Sequence, residues 1–150
     1  MRKSILFALL LFLIFYSVSY SQQPIKNDTK IIVVPTDSTN IFNRIVVALF
    51  EQGYTIESKD LELKFVSTLE KSFGSWAIKI RAIVKDSIIV FSGEIAGNVT
   101  FSLGGAKIEK TFSELSYYTG AFSKGNDYRK AWDVLDSFAR GFGTLVKYSK

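Results

Sequence analysis

Apolar and polar positions alternate with period two through the middle of this chain and follow a helical period on either side. Trp76, Ile78, Ile80, Ala82 and Val84 alternate with Lys79, Arg81 and Lys85, the pattern of a strand with one buried and one wet face. Asp86-Ser87 supplies a turn into Ile88-Ile89-Val90-Phe91, which runs towards Gly93. Strands joined by so short a turn must be antiparallel. Upstream, Ile31-Ile32-Val33-Val34 stops at Pro35 and suits a buried strand. Asp37-Ser38-Thr39-Asn40 then offers N-cap oxygens to a helix predicted over residues 39–52. Ile41, Ile45, Ala48 and Leu49 line its face, with Phe42, Val46 and Phe50 widening it. Gly53 stands where a left-handed residue closes a helix.

After Gly53 the period returns to two. Tyr54, Ile56 and Ser58 alternate with Thr55 and Glu57, and Lys59-Asp60 makes a turn or bulge. Leu61, Leu63, Phe65 and Leu69 are predicted to share one strand face, with Glu62, Lys64 and Thr68 on the other. Ser72-Phe73-Gly74-Ser75 reads as a turn. Farther on, Val99, Phe101 and Leu103 meet Gly104-Gly105, a permissive hairpin turn that sets Phe101 opposite Ile108 and Thr100 opposite Glu109. Ile108, Phe112, Leu115 and Phe122 also fit a helical spacing, and the hairpin is the favoured reading. Asn126-Asp127 caps a final helix with Tyr128, Ala131, Trp132, Leu135, Phe138, Ala139 and Phe142 in one stripe. Gly141 and Gly143, which weaken a helix interior, imply fraying or close packing.

The predicted order is strand, helix, three or more antiparallel strands, helix. Each element has one apolar side, so the expected fold is α+β: a two-layer sandwich with an antiparallel sheet and both helices on one face. The second choice is a barrel closed around the final helix.

The N-terminus adds a location. Arg2 and Lys3 precede an unbroken apolar run from Ile5 to Tyr16, followed by Ser17-Val18-Ser19-Tyr20-Ser21. A basic start, a short apolar stretch and a small-residue exit describe a secretory signal peptide. A spanning helix wants about 20 apolar residues, more than this run holds before Ser17. Cleavage after Ser19 or Ser21 leaves a mature chain starting at Tyr20 or Gln22. The expected organisation is a signal peptide over residues 1–21, a polar flexible leader carrying Pro24 over 22–30, and one domain over 31–150. The expected location is exported, periplasmic or extracellular, with no membrane span after cleavage.

Composition narrows the chemistry. Removal of Arg2 and Lys3 with the leader takes the 19 basic residues to 17 against 14 acidic ones, and the charge from +5 to +3. The remaining basic residues form no run of the kind that binds nucleic acid, so no nucleic-acid partner is expected. The chain has no histidine and no cysteine. Ser-His-Asp and Cys-His nucleophile systems are therefore excluded, as are disulfides and a cysteine-linked lipid anchor, and the commonest metal ligands are lacking. No cofactor, metal or catalytic residue is expected.

Leu49-Phe50-Glu51-Gln52-Gly53-Tyr54-Thr55-Ile56, followed by Asp60 and a strand ending at Thr68, resembles the helix-to-strand passage of small secreted Bacteroidota domains with TBP-like or helix-grip folds. The helix-grip domains of BamC, an outer-membrane assembly lipoprotein, are similar in outline. The resemblance covers about residues 31–95 and the last helix. It implies scaffolding or partner binding and brings no catalytic residues.

Two clusters are candidates for a binding surface. Phe112, Tyr117, Tyr118 and Phe122 combine apolar rings with polar tips in a glycine-rich segment, residues 97–125. Lys79, Arg81 and Lys85 make a weaker candidate, a basic row on the wet side of one strand, with Glu62 and Glu70 as possible ion-pair partners. Glu57, Glu62, Asp86 and Glu94 are the carboxylates from which a glycosidase pair would have to come, and a hydrolase is the least favoured reading. The expected function is that of an exported, non-catalytic binding or assembly module of the cell envelope, with an envelope protein as partner. The alternative is a pocket protein holding a small apolar or lipid-like ligand between the sheet and the C-terminal helix.

Overall fold

The computed structural model describes residues 22–98, 102–103, 106–107, 110–118 and 123–150. The predicted signal peptide, Phe122, the Gly104-Gly105 turn and the Phe101–Ile108 and Thr100–Glu109 pairs lie outside the described residues. Among these residues the elements are β1 (Lys30–Pro35), α1 (Ile41–Glu51), β2 (Ile56–Asp60), β3 (Phe65–Thr68), β4 (Lys71–Phe73) and β5 (Trp76–Lys85). They continue with β6 (Ile88–Gly97), β7 (Ser102–Leu103), β8 (Ala106–Lys107), β9 (Ser113–Glu114), α2 (Ser123–Arg140) and β10 (Gly143–Ser149).

The main sheet is antiparallel, in the order β10-β1-β6-β5-β3-β2, with β4 beside β5 and β9 beside β6. It does not close into a barrel. The two-layer α+β sandwich is the fold. Both helices cover one face, and a single core joins Ile45 and Leu49 of α1, Trp132 and Leu135 of α2, and Ile31, Val66, Ile80 and Phe91 of the sheet. Period-two burial is clearest in β5, where Trp76, Ile78, Ile80, Ala82 and Val84 are buried and Arg81, Ile83 and Lys85 exposed. Asp86 and Ser87, both at positive φ (48° and 64°), join β5 to β6, as a two-residue hairpin turn requires.

The exit of α1 shows why the chain leaves the helix at Gly53. Tyr54 N–H donates to Leu49 O at 2.9 Å and Gly53 N–H to Phe50 O at 2.9 Å, the paired bonds of a Schellman motif. Gly53 has φ +78°, open to glycine and hostile to β-branched residues. Leu49 and Tyr54 are both buried beside this turn.

Several expectations need correction. The entry to α1 is not capped by a side chain: Asn40 occupies the N-cap in the left-handed region, and Asp37 instead accepts from Thr39 N–H at 2.8 Å. Phe50 does not widen the buried face but stands 74% exposed. Leu61 and Leu63 belong to a four-residue loop between β2 and β3 rather than to a strand. Asp60 Oδ1 folds that loop by accepting from Glu62 and Leu63 N–H, both at 2.9 Å. Val66 and Thr68 take the core side of β3, because Thr68 Oγ1 satisfies the buried Ile80 N–H at 3.0 Å. The final helix begins at Ser123, not at Asn126, and a strand follows it: β10 pairs with β1 from Lys30↔Ser149 to Pro35↔Gly143.

The leader of residues 22–30 is tied down from Ile25 onward. Ile25 N–H donates to Asp28 Oδ2 at 2.8 Å, Asn27 N–H to Tyr117 O at 3.0 Å, and Thr29 N–H to Ser149 O at 2.8 Å. β7 pairs antiparallel with β8 in the register expected, with Leu103 opposite Ala106 and Ser102 opposite Lys107.

Candidate functional site

Among the described residues, Phe112, Tyr117 and Tyr118 do not form one patch. β9 runs beside β6, pairing Ser113 with Ile95 and Glu114 with Glu94, so side chains from 112 to 117 alternate between the two faces of the sheet. Phe112 goes to the face away from the helices, with Lys79 Nζ 4.8 Å from its ring centroid. Tyr117 turns to the helix side and meets Trp132 edge to face at 5.8 Å. Tyr118 lies 6.4 Å from the ring of Tyr128, with Lys26 Nζ 5.8 Å from its own. Main-chain bonds fix the segment further: Leu115 N–H donates to Gly93 O at 2.9 Å and Tyr117 N–H to Asp28 O at 2.8 Å. The tyrosines margin the core.

The basic row is largely neutralised in place. Arg81 is 2.5 Å from Glu94, and Lys79 is 3.8 Å from Glu57. Neither uses the partners foreseen for it: Glu70 holds Lys110 at 2.9 Å, and Glu62 lies in the β2–β3 loop. Lys85 sits exposed beside the β5–β6 turn. Glu94 and Glu57 are therefore bound to cations rather than to each other, Glu62 stays in its loop, and Asp86 is in the turn. Among the described residues no cluster of acidic side chains could hold a metal ion.

A concavity does exist, in a different place. Between the sheet and α2, Trp132, Leu135, Ile31 and Phe91 are each at most 1% exposed, and Phe91 packs edge-on to Phe138 at 5.7 Å. Residues of α1 and of the end of α2, however, line an open groove of about 520 Å³. Its apolar surface is Val47, Ala48, Phe138 and Phe142. Asn43, Arg44 and Glu51 of α1 with Gln52 just past its end, and Ser137 of α2 with Gly141 just past its end, form the rim.

The local structure sets the chemistry of that rim. Arg44 and Glu51 are seven residues apart on α1, about 10 Å along its axis, so the groove carries a guanidinium near one end, ion-paired with Asp37 at 3.2 Å, and a carboxylate near the other. The Arg44 guanidinium is steadied by Asp37, donating to its main-chain oxygen at 3.1 Å and to Oδ2 at 3.2 Å. Hydrogen bonds from the Thr39 main chain and side chain hold Asp37 below the usual carboxylate range, and Arg44 adds a smaller pull. At the far end Lys71 donates to Gln52 O, and Lys71 Nζ lies 4.8 Å from the Tyr54 ring centroid. Opposite, a bonded triangle secures the last turn of α2: Arg140 Nε donates to Asp136 at 2.7 Å, Arg140 also donates to Tyr148 Oη at 2.7 Å, and Tyr148 donates to Asp136 at 2.9 Å. Both walls are thus rigidly mounted.

Sequence reasoning missed this groove because it depends on the spacing between two helices remote in the chain. A signal was nonetheless present. α1 is apolar beyond its core stripe, and Val47, which lines the groove, is 53% exposed. No protein-family model matches the chain, and no curated protein sequence matches it. No helix of the described residues is long and apolar enough to cross a membrane.

Proposed function

We propose that this chain is an exported, non-catalytic binding or assembly module of the cell envelope, holding a protein partner in the groove between α1 and α2. The observation that carries this reading is the groove itself: an apolar floor, a rim with opposite charges at its two ends, and walls held by Schellman and side-chain bonds. An amphipathic helix fits such a trough, laying its apolar face on Val47, Ala48 and Phe138. An acidic residue near one end would meet Arg44, and a basic residue two turns on would meet Glu51. Ligand pockets for small molecules enclose roughly 70–90% of the ligand surface. A trough open along its length leaves too much of a small molecule in water, which favours the protein partner over a lipid-like ligand. Export rests on the leader, Arg2 to Ser21.

The test is capture from an envelope extract by the tagged mature chain, with captured proteins identified by mass spectrometry. Val47→Glu should abolish capture while leaving the melting temperature unchanged, since Val47 is half in water already. Ser137→Arg on the opposite wall should do the same. Full capture by both variants would remove the groove from the account, and a small molecule retained in native mass spectrometry would replace the protein partner by a ligand. N-terminal sequencing of the exported chain should begin at Tyr20 or Gln22.

A further inference from the structure

The face of the sheet turned away from the helices carries an apolar band where a two-layer sandwich calls for polar side chains. β1 and β6 carry the unbroken runs Ile31-Ile32-Val33-Val34 and Ile88-Ile89-Val90-Phe91, the pattern of strands covered on both faces. The helix layer takes only Ile31, Val33, Ile89 and Phe91. The alternate residues point the other way. The register aligns Ile32 with Val90, Val90 with Ile83 and Ile83 with Phe65, making one aliphatic and aromatic row across four strands. Val34 and Ile83 are 44% and 41% exposed.

We propose that this face is a homodimer interface, covered by the same face of a second copy of the chain. Charge favours a second copy over a foreign surface. Beside the row Arg81 is paired with Glu94 at 2.5 Å and Lys79 with Glu57 at 3.8 Å, and the row itself ends on Lys147 of β10 and Asp60 of β2, charges of opposite sign. The face therefore shows no dominant sign to attract an acidic or basic partner, and two copies meet without like-charge repulsion. Lys85 stays at the rim beside the β5–β6 turn, where interface charges remain hydrated. Area agrees. Six strands about 4.8 Å apart and about six residues long present roughly 500–600 Å². Pairing two such faces removes about 1,000–1,200 Å² from water, the size at which specific dimers begin. Sheets stacked about 10 Å apart let β-branched side chains interdigitate. This inference is independent of the helix groove, which lies on the other layer.

Sedimentation equilibrium of the purified chain in detergent-free buffer tests it. At tens of micromolar the wild type should have the mass of two copies. Ile83→Glu and Val34→Glu should each raise the dissociation constant by at least about 100-fold with an unchanged circular dichroism spectrum, whereas Phe50→Ser on the helix layer should remain dimeric. A wild type that stays monomeric at every concentration overturns the inference, as does a dimer that survives both glutamates. A monomer that loses a captured foreign protein on Ile83→Glu also overturns it, assigning the face to that protein. Should the glutamates impair folding, Ile83→Cys, placing the sole thiol of the chain on this face, decides the matter. Its maleimide labelling rate should fall as protein concentration rises, and a constant rate refutes self-pairing.

Discussion

Gly143→Ala probes the strand that completes the sheet. A Cβ built on Gly143 would stand 2.0 Å from Val34 O, 2.7 Å from Pro35 Cα and 2.8 Å from Val34 C. All three are main-chain atoms of β1, so no side-chain rotation relieves the overlap. Restoring ordinary contact requires β10 to retreat by more than 1 Å, roughly, at its first residue. Hydrogen bonds weaken steeply beyond about 3.2 Å, and Thr36 N–H already reaches Phe142 O at 3.2 Å. Loss of one or two such bonds at about 0.5–1.5 kcal/mol each, with overpacking strain of about 1–3 kcal/mol, gives roughly 1.5–6 kcal/mol. The reduced freedom of the unfolded chain returns about 0.4–1 kcal/mol at most. The control is Gly97→Ala, where nothing lies within 4 Å of the added carbon. Urea denaturation followed by tryptophan fluorescence should show a clear drop in midpoint for Gly143→Ala and almost none for Gly97→Ala. Equal midpoints for the two variants would refute the tight β1–β10 junction.

Gly53→Val should lower stability by more than a surface change does, because valine at φ +78° is strained, and thermal melting checks it. Tyr117→Ser should destabilise more than Tyr118→Ser, since only Tyr117 packs against Trp132; equal melting temperatures would contradict this. Burial pushes the phenols of Tyr54 and Tyr148 up to about 12 from the ordinary 10, with Asp136 adding to the effect at Tyr148. The unfolded chain therefore ionises first. The stability from these two groups is complete below pH 10 and is lost as pH rises towards 12, a decline that Tyr148→Phe should reduce in urea titrations between pH 9 and 12.

Local patterns made most elements legible. β5 was readable because its apolar and polar residues alternate, and β6 because the Asp86-Ser87 turn joins it to β5 and leads into the apolar run Ile88–Phe91. The Gly53 exit was readable because a helix end has its own chemistry. β10 was not, because Gly141 and Gly143 read equally well as weak points of a longer helix, and only β1 beside Gly143 shows why the second must lack a side chain. Leu61 and Leu63 misled because their alternation mimics a strand, while the Asp60 carboxylate that bends the loop acts through the main chain. The candidate site was legible only in part. Ion pairs between neighbouring strands depend on register, which set Glu94 opposite Lys79 and diagonal to Arg81, the residue it binds, and left Glu62 in its loop. The groove required the relative placement of α1 and α2, which no local pattern encodes.

The central claim, a partner seated between α1 and α2, is tested most directly by photo-crosslinking inside the cell. A benzophenone amino acid replacing Val47 should yield one defined protein adduct in the envelope fraction. The same group replacing Lys59, away from the groove, should not form it. Identification of a single partner whose crosslinked peptide is an amphipathic helix with opposite charges two turns apart is the predicted result. Absence of any adduct at Val47, or an identical adduct from Lys59, would contradict it.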